Sequence, residues 1–208
     1  MNKFVFVIFL SLSLPCQAQK VIEQSIENTA IKTVVIIDDA IFKIKIATTP
    51  RNKGIQLESK IDGEYAKDII LLTEMKNDTL FISSMFQPFF ESKNDKLSAH
   101  KIVSVELVLV LPENLSVYAK SAIASAKIKG RYKRLTLEFA QGNTTIKNFI
   151  GEAIVNSVNG DIAIESNYAL VKTSSKTGVV KEEPLNSGIH HITLNTINGN
   201  ISVTKTKK

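Results

Sequence analysis

The 208-residue chain has one cysteine, no tryptophan, three histidines and only nine glycines. The single cysteine, Cys16, lies in an apolar N-terminal stretch, and without it there is no disulfide, no thiolate nucleophile and no cysteine zinc site. Histidine is confined to His100, His190 and His191. An adjacent pair on a strand points to opposite faces, so His190 and His191 do not chelate one ion, and no metal site is expected. No G-x-S-x-G elbow is present, and every glycine is isolated, which removes the serine-hydrolase turn and the phosphate-cradling loop. Arginine clusters and basic–aromatic interleaving are missing too, which argues against nucleic acid as a partner. Neither a catalytic centre nor a cofactor is expected.

Residues 1–18, MNKFVFVIFLSLSLPCQA, carry Lys3, an apolar run from Phe4 to Leu14, a proline and a short Cys16-Gln17-Ala18 end. That is the layout of a secretory signal peptide cut after Ala18. The apolar run is too short for a permanent span, which takes about twenty residues, so no transmembrane segment is expected once the leader is gone. Lipid attachment at Cys16 is the competing reading, against which Leu14 and Pro15 fit poorly. The expected location is the periplasm, the outer surface or the medium. Loss of Lys3 lowers the formal charge from +6 by one, leaving a basic, soluble exterior weakly drawn to acidic glycans or lipid headgroups.

What is present is β-forming sequence. From Val34 to Val110 the apolar residues recur with period two: IFKIKIAT sets Phe42, Ile44 and Ile46 against Lys43 and Lys45, and VSVELVLVLP alternates likewise. DIILLTEMKNDTLFISS reads as a hairpin with EMKND as a longer loop. Residues 85–101 break the rhythm with Pro88 and a polar run, and form a long irregular loop. Phe86, Phe89 and Phe90 at its start are the candidate contact residues for a partner or apolar ligand, unless they fold back over the core. DTL at 78–80 resembles a short acceptor for O-linked glycans in exported Bacteroidetes proteins, although Asp-Thr also suits a turn.

After LPEN at 111–114 the chain repeats itself. Each unit has a short strand, a small or glycine-containing corner and a second short strand. VNGDIAIES at 158–166 and INGNISVTK at 197–205 are the clearest pair. The residue after each corner falls at Ile128, Ile146, Ile164, Val180 and Val203, which suggests successive coils whose equivalent side chains form ladders. Asn-Gly is also a strong hairpin signal, and pairing across Asn159-Gly160 would set Val155 opposite Ile164. The expected fold is therefore all-β: a β-solenoid or β-helix-like roll over 111–208, continuous with an N-terminal β region at 19–110. An antiparallel β-meander or sandwich is the alternative. The lysines of SVTKTKK would then guard the outer edge of a terminal coil.

Carboxylates need to converge for glycan cleavage. Glu138, Asp161 and Glu165 are the candidates, but they fall at unmatched points of their units, and Asp161 sits beside a turn glycine.

The repeated [V/I]-N-G-[D/N]-I-x-[I/V] at 158–164 and 197–203, preceded by LPENL at 111–115, resembles the putative adhesin family of exported bacterial proteins, an adhesin-like domain of unknown function with Gly-Asp and Gly-Asn β-repeats. The resemblance spans Val34 to Val203, although Ala124-Ser125-Ala126 replaces the usual corner of the first unit. It implies a β-helix-like fold at the cell envelope and brings no catalytic residue. The function it points to is non-enzymatic binding or scaffolding, with an envelope glycan or another envelope protein as partner. A glycan-active β-helix enzyme and an accessory component of envelope stress signalling are the alternatives.

Overall fold

The computed structural model describes residues 19–27, 30–50, 54–90 and 103–206. The leader with Cys16, most of the irregular loop, and His100 lie outside these residues. The described chain is all-β, with no α-helix and a single short 3-10 turn at Ala66–Asp68. In chain order the strands are β1 (Lys20–Ile26), β2 (Thr33–Ile37), β3 (Ile41–Thr49), β4 (Ile55–Asp62), β5 (Ile69–Lys76), β6 (Thr79–Phe86) and β7 (Ser104–Pro112). They continue as β8 (Ser116–Ser121), β9 (Ser125–Gln141), β10 (Thr144–Asn159), β11 (Ile162–Ser166), β12 (Ala169–Ser175), β13 (Val180–Glu182), β14 (His190–Thr196) and β15 (Ile201–Lys205).

All fifteen belong to one sheet, which bends round on itself into a nearly closed, barrel-like wall. The long strands β9 and β10 cause the bend. Their first halves pair in one wall, ordered β1-β4-β7-β3-β9-β10-β11-β15-β13, and their second halves in the facing wall, ordered β5-β6-β2-β8-β9-β10-β14-β12. The bend falls where the backbone reaches positive φ, at Gly130 (113°) in β9, and at Asn148 (47°) and Gly151 (135°) in β10. Asparagine and glycine tolerate that region, whereas β-branched residues do not. Tyr132 and Phe149 stack inside these bends with ring centroids 5.9 Å apart. Burial pushes the Tyr132 hydroxyl far above its usual pKa, so it stays a neutral donor to the Ile46 and Lys129 carbonyls.

Most neighbouring strands run parallel, and their registers stack like on like. Leu109, Ile46, Ile128, Ile146, Ile164 and Val203 form one continuous rung across the first wall. Leu80, Val34, Val117, Leu135, Ala153 and Ile192 form another across the second. These inward residues are buried and meet in a single core cluster. At one end of the stack the pairing turns antiparallel, through β1 with β4, β4 with β7, and β5 with β6.

Several local expectations change. The β5–β6 connection is a two-residue turn at Asn77–Asp78, with Asn77 at φ 55°, because Glu74, Met75 and Lys76 remain in the strand. Phe42 is exposed, not aligned with Ile44 and Ile46, since a register irregularity after Ile41 shifts it out of the alternation. Val155 does not meet Ile164 across Asn159-Gly160: Val155 lies between Leu137 and Leu194, and Ile164 between Ile146 and Val203. His190 and His191 open strand β14.

The larger correction concerns order. The last segment of chain, β14 and β15, does not add to the end of the stack. It slots between β10–β11 on one side and β12–β13 on the other. Val203 therefore follows Ile164 in the rung, and the residue beyond it is Glu182; Val180 stands opposite Ile201 instead. Strand β15, and with it Lys205, accordingly guards no edge, which belongs to β12 and β13; Lys207 and Lys208 lie outside the described residues. That outer unit closes itself with polar groups, as Thr173 donates a hydrogen bond to Glu182. The opposite end is ordered the same way, with β6 and β7 lying outside β2 and β3, and β8 and β9 inside.

The repeated glycine is explained by the corners. A Cβ on Gly142 would lie 2.3 Å from the Ala124 carbonyl oxygen, one on Gly160 2.1 Å from that of Gly142, one on Gly199 2.1 Å from that of Gly160, and one on Gly178 1.9 Å from that of Gly199. Each corner rests its backbone against the place where the next corner's side chain would be. Only Ala124 in this column carries a methyl. Beside it Ala122 donates its N–H to the Asp39 carboxylate at 2.8 Å.

Gly160→Ala is thus expected to cost about 1–3 kcal/mol through overpacking alone, as a lowered urea midpoint with unchanged m-value. Ala124→Gly should cost about 1 kcal/mol or less. Equal losses at both positions would contradict the close-approach explanation.

Candidate functional site

The hairpin β5–β6 delivers the predicted aromatic residues to one place. Phe86 is the last residue of β6, and Gln87-Pro88-Phe89-Phe90 forms a turn in which the Phe90 N–H donates to the Gln87 carbonyl at 2.9 Å. Proline suits the second position of such a turn because its φ is already set. The Gln87 N–H donates to the Asp68 carbonyl at 2.8 Å, which ties the turn to the 3-10 segment before β5. As a result Phe86 and Phe90 stack at 4.4 Å, and Tyr65 meets Phe90 edge-on at 5.0 Å and Phe86 at 6.4 Å.

Tyr65 is the member that sequence reading missed. It sits in a polar turn, some twenty residues from the phenylalanines, and only the β5–β6 pairing brings it over. Phe86 and Phe90 cover each other without joining the buried core, while Phe89, 96% exposed, projects into solvent. An arrangement of this kind offers a rigid aromatic surface for apolar or stacking contact.

The three carboxylates are not brought together. Glu138 lies between the buried Leu137 and Phe139 and so points outward from the second wall. Glu165 lies between the buried Ile164 and Ser166 and points outward from the first. The core separates them. Glu138 accepts a hydrogen bond from the Tyr118 hydroxyl at 3.0 Å; burial, and then this bond, raise the Tyr118 pKa.

Asp161 is occupied by the corner. Its carboxylate accepts the Asn200 N–H at 2.7 Å and the Asn200 side-chain amide at 3.2 Å, while its own N–H donates to the Asn143 side-chain oxygen at 2.9 Å. Asn200 in turn accepts the Val179 N–H at 2.9 Å. A parallel column joins the Asn198 amide to the Asn159 side-chain oxygen at 2.8 Å. The polar residues flanking each corner glycine therefore cap the backbone of the next unit.

Charge is concentrated on the outside of the first wall. Glu106 on β7 bridges Lys43 at 3.1 Å and Lys45 at 2.5 Å, and the Lys45 hydrogen bond, opposed by desolvation, holds its carboxyl below the usual range. The same bond raises the Lys45 pKa. Among the described residues no group of histidine, cysteine, aspartate and glutamate side chains is gathered in a way that could hold a metal ion. No described helix is long and apolar enough to cross a membrane.

No family model matches the sequence, and no curated protein is similar to it. Solved structures match along most of the chain. One from Clostridium sporogenes ATCC 15579, named a putative cell adhesion protein, superposes with a TM-score of 0.64 at 14% identity, over 90% of this chain and 100% of that one. A putative adhesin from Bacteroides fragilis NCTC 9343 covers 90% of this chain and 98% of its own at 10% identity, with a TM-score of 0.40. At this identity the Clostridium structure establishes a shared fold over 90% of the chain and nothing about a ligand.

Because Glu106 has a depressed pKa in the fold, its contribution is present above the unfolded carboxylate value and is lost as pH falls through the lower folded value. The denaturant midpoint should therefore drop from pH 6 towards pH 2, and Glu106→Gln should lose stability at pH 6 while approaching the parent at the acid end. A constant difference across this range would remove the carboxylate from the explanation.

Proposed function

We propose that the protein is an exported, non-enzymatic adhesin-like β-repeat protein that binds or scaffolds at the bacterial cell envelope, with the parallel stack as a β-solenoid. The observation that carries this reading is the direction of the polar side chains. Alternation sends the charged ones outward over two broad walls, so that the buried polar residues are serines and threonines, and the carboxylates that could cleave a glycan end on opposite sides of the core. A surface of repeated strands suits extended contact better than chemistry at a point. The likeness in fold to a structure named a putative cell adhesion protein supports the same class. The leader at 1–18 supports export, to the periplasm, the outer surface or the medium.

Phe86, Phe89 and Phe90 are the contact residues of this reading, with Tyr65 supporting them. Phe89 reaches furthest and has least to lose structurally. In interfaces a few aromatic anchors carry most of the binding energy.

Beads coated with the purified protein should be retained on isolated envelope from the producing bacterium. Phe89→Ala should weaken retention about tenfold, equivalent to about 1.4 kcal/mol, with an unchanged melting temperature. The enzymatic alternative is checked separately with a panel of polysaccharides. Release of reducing ends that disappears in Glu138→Gln or Glu165→Gln would overturn the non-enzymatic reading.

A further inference from the structure

The outside of the first wall carries lysines that the fold does not neutralise. Lys127 and Lys129 point outward from β9, on either side of the buried Ile128, and Lys147 points outward from β10. The parallel register sets Lys127 beside Lys45, and Lys129 beside Lys147. Adjacent strands are about 4.8 Å apart, so these are close like-charge pairs, an arrangement that destabilises a sheet. Glu106 offsets Lys43 and Lys45. Lys127, Lys129 and Lys147 have no carboxylate partner among the described residues.

An ordinary explanation for lysine on strands is protection of a free edge. It does not apply here, because β9 and β10 lie in the middle of both walls and are paired on each side. The lysines also line one side of a groove of about 460 Å³ whose other lining residues include Val108, Val110 and Ala47. A cationic side next to an apolar one matches a chain molecule with both anionic groups and apolar ring faces. It matches nucleic acid poorly: the groove has no aromatic side chain to stack on a base and no arginine fork for phosphate.

We propose that this groove binds an acidic polysaccharide, with Lys127, Lys129 and Lys147 engaging its carboxylates or sulfates across β9 and β10. This rests on the reading of the protein as an envelope-binding scaffold, and it names the class of ligand. Ligand anions relieve the repulsion between the lysines, so the strain built into the bare surface becomes binding free energy.

The test is titration of the purified protein with polygalacturonate and with heparin at several salt concentrations, with neutral dextran and duplex DNA as comparison probes. At least one acidic polysaccharide should bind, dextran should not, and DNA should bind more weakly. The combined Lys127→Gln, Lys129→Gln, Lys147→Gln variant should bind about tenfold more weakly, with a shallower dependence on salt because fewer counterions are displaced. A control variant, Lys120→Gln, Lys172→Gln, Lys176→Gln, removes the same charge elsewhere and should bind like the parent. Melting curves identify any variant that is not folded, and charge reversal at Lys129 alone (Lys129→Glu) provides a milder replacement.

Equal weakening in the control would reduce the effect to net charge and overturn the site. Tighter binding of DNA than of either acidic polysaccharide, or no binding by the parent to either, would also overturn it. Retention on envelope without acidic-polysaccharide binding would sink this inference and leave the proposed function standing; polysaccharide cleavage lost on Glu138→Gln would do the reverse.

Discussion

Everything in this fold depends on how closely one corner can approach the next. Parallel strands pair only when their backbones are a hydrogen bond apart, and at a corner, where the chain turns from one wall to the other, that spacing leaves no room for a Cβ. Gly142, Gly160, Gly199 and Gly178 each leave vacant the space that a neighbouring carbonyl oxygen fills. With the corners held at that distance, the Asn143, Asp161 and Asn200 side chains can reach the N–H of the adjacent unit and satisfy donors the ladder leaves over. The apolar rungs then fall into register, because strands fixed at their corners cannot slide.

The outward surfaces inherit this constraint. Fixed register means that a residue type repeated at the same point of successive units becomes a row in space, whether it is isoleucine inside or lysine outside. Lys129 and Lys147 are adjacent for the same reason that Ile128 and Ile146 are. The aromatic cluster is built differently. It depends on the antiparallel β5–β6 hairpin near one end of the stack and on a proline turn that brings Phe90 back over Phe86. One surface is periodic and basic, the other local and apolar, and they suit different kinds of contact.

The three candidate carboxylates are kept apart for a geometric reason. Alternation places neighbouring residues on opposite sides of a wall, so acids from different units meet only if they share both wall and row. Glu138 and Glu165 share neither, and Asp161 is held by the corner hydrogen bonds.

The sequence by itself determined the strands, the corners and most of the core, because alternation of apolar residues and the placing of Asn-Gly are local consequences of backbone geometry. The rung Ile128, Ile146, Ile164 was readable from its spacing of eighteen residues. Only the tertiary structure decided which strand packs beyond Ile164. Val180 and Val203 both come after a corner, and each belongs to a unit of similar pattern, so nothing local says which lies nearer. Burial decides it: β14 and β15 bring Ile192, Leu194, Ile201 and Val203 to the core and occupy the inner position, whereas β12 and β13 offer Thr173, Ser175 and Glu182 and are left to face solvent at the end. The position of Tyr65 against Phe86 and Phe90, and the separation of Glu138 from Glu165, were likewise settled by which strands pair and which wall each joins, a choice made by the whole core and invisible in any one segment.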